Sequence, residues 1–453
     1  MNDQEAALVA DADVRATAYL HSIETRRVFP DQAALDGLSR FEEPLSDTGL
    51  PGEETLALLD EAGTPATVTT NGPRYFGFVV GAALPVAAAA ERLMLAWDQG
   101  AALAMTSPTA AKLEGIAARW LLDILDLPRE SVVGFGTSAT ACSLTALTAA
   151  RNALLARAGW DVAEHGLFGA HEIRVVVPAT VHVTILKALR ILGFGAGRLL
   201  RAPVDTHGRI DPARMPEIDT RTILVLQAGE VNTGEFDPFT DVIPRAKGAG
   251  AWVHVDGAFG LWARASRHRH LTDGVEGADS WTVDGHKWLN TPYDCAMAIC
   301  RDPEALTLAM NSDADYALGS KDAQKNLTLE FSRRARGVPV WAVLRTLGRD
   351  GVAALVDRHC AQANRLAERL RREGFDVLNR VVLNQIVVRG RDDAETLSIR
   401  LGAEKSGEVW FGPTVWEGRP AFRLSISSWR TTDADIDQLV EVLVRVREAA
   451  RAD

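Results

Sequence analysis

An open, largely parallel α/β sheet followed by a smaller α+β unit is the fold class that this chain of 453 residues predicts. Three observations carry the prediction. Between about residues 110 and 300, short β-branched runs alternate with helical stretches. Those runs are continuously apolar, as strands covered on both faces are, and do not alternate with polar residues. After about residue 346 the texture changes to a long helix, a hairpin and a closing helix.

Taken in order, the segment 1–70 reads as helical but broken at "EEPLSDTGLPGEE" (42–54), too small and polar to fold alone. It is expected to form an N-terminal helical arm. A large domain over 71–345 then begins. In it the helix "AAKLEGIAARWLLDILDL" (110–127) leads into "SVVGFGTSATACSLTALTAARN", a strand, a turn and a helix. "EIRVVVPAT" precedes the helical "VHVTILKALRILG", and "TILVLQAGE" precedes "FTDVIPRAKGAG". "AWVHVDGAFG" and "SWTVDGHKW" complete the predicted strands. The C-terminal α+β domain, 346–453, holds a helix over 351–373, then "FDVLNRVVLNQIVVRG". A hairpin, "GEVWFGPTVW" and "PAFRLSISSW", turns at "EGR", and a last helix over 433–450 is capped by "RTTDADID".

Bulk chemistry narrows the function. A hydrophobic share of 47% with 24% charged residues describes a folded protein with a large core. The net charge of −11 argues against nucleic-acid binding, which needs concentrated Lys and Arg. The four cysteines, at 142, 295, 300 and 360, have neither metal-ligand nor disulfide-framework spacing, so no metal is expected. The acidic start "MNDQEAALVADADVR" lacks a signal-peptide core, and the most apolar stretch (76–90) is short and interrupted by Pro85. A cytoplasmic protein that does not engage a membrane is the expectation.

Ligands of open α/β sheets gather at the carboxyl ends of the strands. There, "GFGTSAT" (134–140) sets Gly, Ser and Thr ahead of a helix, an arrangement suited to phosphate, although a plain capped helix fits equally well. "WVHVDGAFG" ends a hydrophobic strand on Asp256, a carboxylate that needs a partner. An internal salt bridge or a cap would also supply one. Gly257 and Ala258 let a flat group approach the backbone. "SWTVDGHKW" ends on Asp284, His286 and Lys287, the only His-Lys pair in the chain, between Trp281 and Trp288. A lysine held out of water loses its proton more readily and becomes nucleophilic, whereas a snorkelling surface lysine does not. His182, in "PATVHVTILKA", sits at another strand-to-helix junction, as a ring-stacking or a helix-capping residue. A phosphate cradle, a carboxylate and an activated amine are the set that pyridoxal 5'-phosphate (PLP) requires.

The blocks "TSPTAAKLEG", "GTSATACSLTALTAARN", "HVDGAFG", "DGHKWLNTPYDC" and "SRRARG" resemble, in order, those of the PLP-dependent group II amino-acid decarboxylases, the aromatic-amino-acid and glutamate decarboxylase group. The resemblance runs from about residue 72 to the C-terminus. It implies the aspartate-aminotransferase-like fold type I and a homodimer whose active sites are shared between subunits. It makes Lys287 the Schiff-base lysine, Asp256 the partner of the pyridinium nitrogen, and His182 and Ala258 the residues on the two ring faces. Ala139, Thr140 and His286 would hold the phosphate, with Asp284 close by. "NGPRYFGFVVG" matches a segment that shapes the substrate pocket in relatives, so Tyr75, Phe76 and Phe78 are substrate candidates or, equally, interface core. The implied reaction converts an L-amino acid into its amine and carbon dioxide.

Two departures qualify that expectation. The loop tyrosine that returns a proton to Cα in relatives falls, counted back from "SRRARG", near Gln324, and the loop's one tyrosine is Tyr316, well upstream. Either Tyr316 serves, or another donor does, or dioxygen consumes the intermediate and an aldehyde results. A carbon–carbon lyase and a non-catalytic binding homologue are the remaining alternatives. Glu230 stands where relatives tend to carry a neutral residue near the ring oxygen, so it is expected to turn away or to hold a proton.

Overall fold

The structure, a computed structural model, describes residues 3–311 and 323–452. The chain divides into two compact units, one of residues 83–364 and 379–386, the other of 1–82, 365–378 and 387–453.

The first unit is built on a seven-stranded sheet. Its strands are β1 (Val132–Gly136), β2 (Arg174–Pro178), β3 (Leu200–Ala202), β4 (Thr222–Gln227), β5 (Trp252–Asp256), β6 (Ser280–Asp284) and β7 (Ala296–Cys300), in the order β1-β7-β6-β5-β4-β2-β3. β7 runs antiparallel to both its neighbours, and the remaining pairs are parallel. Because β7 reverses the direction twice, β1 points the same way as β6. The carboxyl ends Gly136, Asp256 and Asp284 therefore share one edge of the sheet. β4, β5, β6 and β7 are buried along their whole length, which explains their unbroken apolar sequences. The helices Ala139–Arg157 and Val183–Ile191 cover one face, where Leu147, Leu154, Ile185 and Leu189 meet Val175, Val177, Ile223, Val225 and Trp252. Each such side chain contributes about 1.5–3 kcal/mol, so this face alone anchors the sheet firmly.

The second unit has a four-stranded sheet, β8 (Asp376–Val377), β9 (Gln385–Arg389), β10 (Gly412–Trp416) and β11 (Arg419–Ser425), ordered β10-β11-β9-β8. The β10–β11 hairpin turns on two residues, Glu417 and Gly418, both with positive φ (49° and 75°), as the twist-matched turn requires. Arg419, expected in the turn, begins β11 instead. The segment 1–82 belongs to this unit and does not form a separate arm. Val28 N–H donates to Gly407 C=O at 2.6 Å and Phe76 N–H to Trp410 C=O at 2.8 Å, while Phe76 C=O accepts from Ser425 N–H at 2.9 Å. The division also falls within the helix Gly337–Arg372 rather than at residue 346. Among the described residues no helix is long and apolar enough to cross a membrane.

Candidate active site

β6 ends on Asp284, and the chain turns at once through Gly285. A Cβ there would lie 2.9 Å from both Cys295 Sγ and Thr291 Oγ1, so only glycine fits. The turn is closed on both sides. Gly285 and His286 donate their N–H groups to Cys295 C=O (3.0 and 3.2 Å), and Thr291 N–H donates to Gly285 C=O (3.1 Å). Asn290, in the left-handed region, donates its amide to the carbonyls of Lys287 and Trp288 (3.1 and 2.9 Å). Trp288 is buried and donates its indole N–H to His359 Nδ1 at 2.8 Å. Lys287 thus rises from a rigid backbone. Its side chain is 21% exposed, with Nζ 3.3 Å from Asp284 Oδ2 and 5.9 Å from the centre of the Phe259 ring. A snorkelling lysine would present its amine to water; this one lies against an aromatic ring and a buried acid.

Asp284, 2% exposed, is the hub of the site. Oδ1 accepts the N–H of Ala139 at 2.8 Å, while Oδ2 faces Lys287 Nζ and stands 3.8 Å from His286 Nε2. The first turn of the helix Ala139–Arg157 is thereby tied to the end of β6. Burial pulls the His286 imidazole below its ordinary pKa, against the pull of Asp284, so the ring is neutral at physiological pH. Its Nδ1 accepts Cys295 N–H at 3.2 Å, and its face carries the Tyr293 ring at 4.4 Å.

One part of the predicted phosphate cradle is committed elsewhere. The Ala139 N–H, a sequence candidate for phosphate, already serves Asp284. Ser138, not among the sequence candidates, caps the helix by accepting Ala141 N–H at 3.3 Å. A serine directly before an apolar helix is the signal that marks it. The hydroxyls of Thr137 and Thr140 have no hydrogen-bond partner among the described residues.

Asp256 closes β5 at the level of Thr282 in β6, 7% exposed. Its carboxylate accepts a single hydrogen bond among the described residues, from Ala258 N–H at 3.2 Å. Two residues earlier, His254 is fully buried; Nδ1 meets Ser280 Oγ at 3.0 Å and Nε2 has no partner among the described residues. Burial lowers its pKa to about 4, so it carries no charge to Asp256 at neutral pH. His182 stands at the N-cap of the helix Val183–Ile191, with Nδ1 2.7 Å from Thr184 Oγ1, which matches the capping alternative.

Glu230 is turned onto its own loop. Its Oε2 accepts the N–H groups of Asn232 and Thr233, both at 2.8 Å, and the Thr233 hydroxyl at 3.0 Å. Gln324, at the family's tyrosine position, is fixed to the sheet edge: its amide donates to Val133 C=O (3.1 Å) and accepts Phe135 N–H (3.0 Å) and Arg333 (3.1 Å). Tyr316 lies outside the described residues. Tyr75, Phe76 and Phe78 belong to the other unit, where Tyr75 stacks on Trp410 at 4.8 Å and Phe78 at 5.7 Å, and Phe76 is fully buried.

The residues present suit PLP. A buried carboxylate with one donor is short of partners, and a protonated ring nitrogen would supply one. The unpartnered threonine hydroxyls at a helix start suit a phosphate, and Lys287 offers the amine.

Comparison with known proteins agrees. The family described as "Pyridoxal-dependent decarboxylase conserved domain" matches residues 61–390. L-2,4-diaminobutyrate decarboxylase of Rhizobium meliloti (strain 1021) is 30% identical over 443 residues, covering 92% of this chain and 86% of that protein. Phenylacetaldehyde synthase of Arabidopsis thaliana is 25% identical over 372 residues, 75% of this chain and 74% of that protein. The crystal structure of Oryza sativa TDC with PLP and tryptamine shares the fold, with a TM-score of 0.91 at 23% identity over 99% of this chain and 98% of that one.

Proposed function

This chain belongs to the pyridoxal-dependent decarboxylase family, and we propose that it converts an L-amino acid into the corresponding amine, with Lys287 as the residue that carries the cofactor. PLP-dependent decarboxylation of an amino acid is the activity of the family. When bound, PLP supplies an aldehyde for an amine and a pyridinium ring that accepts the electron pair released at Cα. The protein's own residues have four tasks. Lys287 would hold the cofactor through its amine. Asp256 keeps a proton on the ring nitrogen, because a buried carboxylate without a protein cation is stabilised by that proton. Thr140, with Thr137 and Ser138, binds the phosphate at the helix start. Asp284 fixes Lys287 and the Ala139 turn in one arrangement, so that one carboxylate would set the residues that hold the amine side and the phosphate side. His182 and Ala258 are assigned to the two faces of the ring, and His286 to the phosphate side.

The observation that carries this reading is a rigidly held lysine, shielded by an acid and an aromatic ring, next to a strand that ends in an under-partnered buried carboxylate. The aldehyde-forming alternative keeps a place for one reason: Gln324, where relatives have their proton-donating tyrosine, is bound to β1 and offers an amide in place of an acidic hydroxyl. A cytoplasmic homodimer is part of the proposal. Leu93, Leu95, Trp97 and Met105 expose apolar surface suited to a second copy, and the four buried free cysteines fit a reducing compartment. Tyr75, Phe76 and Phe78 remain the substrate candidates.

The test begins with purified protein and PLP. The visible absorption band of the lysine-linked cofactor is expected in the wild type and absent in Lys287→Ala. A panel of L-amino acids should then give carbon dioxide without oxygen uptake. Oxygen consumed in step with carbon dioxide would favour the aldehyde product, and a band that survives Lys287→Ala would defeat the assignment.

A further inference from the structure

The chain has four tyrosines, and the family's usual proton donor is not among the residues at its expected position. Tyr19 lies under the Arg26 guanidinium, Tyr75 stacks on Trp410, and Tyr316 is outside the described residues. Tyr293 is different. It follows Lys287 by six residues, and its ring stacks on His286 with 4.4 Å between centroids and 30° between planes. His286, Lys287 and Asp284 are already one cluster (3.8 and 3.3 Å to Asp284 Oδ2). Tyr293 is therefore the one tyrosine among the described residues that belongs to the lysine's surroundings.

Its placement is also rigid and open. On its C-terminal side Asp294 is held by Arg336 at 2.7 Å and by Arg334 at 3.4 Å, and Cys295 is bound by His286 and Gly285. Yet the tyrosine is 57% exposed, so water reaches it. A phenol fixed on one face and wet on the other can give a proton inward and recover it from water. Burial of the hydroxyl's surroundings and the Asp284 charge push its pKa up to about 12, so the proton is present throughout the physiological range.

We propose that Tyr293 is the proton donor of this enzyme, delivering its phenolic proton to Cα after carbon dioxide has left. The proposal rests on the decarboxylase reading above. In the step, the O–H bond of Tyr293 breaks, a C–H bond forms at the carbon that held the carboxylate, and the phenolate takes a proton from water. No oxidant or reductant is consumed. The charged and titratable groups around the phenol are His286, Asp284, Lys287 and Asp294.

Tyr293→Phe keeps the stacked ring and removes only the hydroxyl. Amine formation is expected to fall about 100-fold or more, the usual contribution of a general acid. Carbon dioxide release should fall much less, with the difference appearing as aldehyde, hydrogen peroxide and consumed oxygen. One readout needs no turnover: PLP affinity of the apo-protein should stay within about twofold, since a phenyl ring stacks as a phenol does. Unchanged amine formation in Tyr293→Phe would overturn the proposal, as would loss of cofactor affinity in place of a product shift. A loss of amine from Tyr316→Phe with none from Tyr293→Phe would overturn it too. If the wild type releases no carbon dioxide from any L-amino acid, the decarboxylase reading fails; if it does and only Tyr293→Phe is silent, the donor assignment alone fails.

Discussion

Asp256 and Asp284 end neighbouring parallel strands of one sheet, on the same edge, and both are almost wholly buried. Their surroundings differ sharply. Asp284 holds a backbone N–H and an ammonium, with an imidazole nearby; Asp256 accepts one N–H from two residues along and nothing more among the described residues. A buried carboxylate is tolerated when its charge is answered. Asp284 is answered by the protein itself and is an architectural hub. On the proposed reading, the cofactor's ring nitrogen would answer Asp256. The contrast then separates a residue that builds a site from one assigned to a ligand, although burial is nearly the same for the two.

The contrast is broken most directly at Asp256. Asp256→Asn keeps an oxygen for the Ala258 N–H and removes the charge. The fold should be unaffected, with a melting temperature within a few degrees of wild type, while kcat for carbon dioxide release drops by about 100- to 1000-fold, the scale of losing one preorganised electrostatic partner. Thermal melts and a carbon dioxide assay on the PLP-loaded protein check both halves. A large loss of stability, or an unaffected kcat, would mean that Asp256 is a structural acid like its neighbour.

Asp284→Ala should invert the pattern. It leaves Ala139 N–H without its acceptor and Lys287 without its anion. A stability loss on the order of 3 kcal/mol is expected, discounted from a fully buried pair because Lys287 is partly exposed. Denaturant midpoints of the apo-protein measure it free of any cofactor effect. Catalysis should fall as well, but through weaker PLP retention, which excess PLP would partly restore. Rescue by PLP in Asp284→Ala and none in Asp256→Asn would be the sharpest form of the distinction.

How much of this was legible in the sequence follows the same line. β1, β2, β4, β5 and β6 announce themselves as apolar, β-branched runs, and a polar residue at the end of such a run stands out; Asp256, Asp284 and Lys287 were visible for that reason. β7 was not. "AMAIC" contains one β-branched residue and has no intrinsic strand signal; it is a strand because β1 and β6 flank it and bury it from both sides. Nor could the sequence reveal that the segment 1–82 joins the C-terminal unit, because backbone bonds such as Val28 to Gly407 leave no mark on side-chain pattern. Tyr293 and Phe259 were missed as site residues because their relations to His286 and Lys287, a stacked ring and an amine over a ring face, cross turns and have no fixed spacing. The distinction between the two aspartates was equally hidden, since it depends on which donors fold back onto each.

The smallest effect tests whether the protein has a cation of its own for Asp256. His254 is two residues away on β5, and only its neutrality keeps the carboxylate under-partnered. Its pKa of about 4 in the folded chain lies below the ordinary value of 6.5, because burial penalises the charged ring. The unfolded chain therefore binds more protons between pH 6.5 and 4, and folding stability is fully present above that window and lost as the pH falls through it. Between pH 7 and 5 the loss from this residue is about 2 kcal/mol. His286, also lowered, adds to it with the same sign. Asp237 opposes it: burial raises its carboxyl to about 7, so its contribution is present at low pH and fades as the pH rises toward neutral. The comparison of wild type with His254→Gln removes both background contributions. Unfolding free energies from urea melts at pH 7 and pH 5 should lie closer together in the variant, by about 2 kcal/mol. If the wild type instead loses less stability than His254→Gln on acidification, the imidazole binds its proton more tightly in the folded chain than in the unfolded one. It would then partner Asp256, and the carboxylate would need no ring nitrogen to complete it.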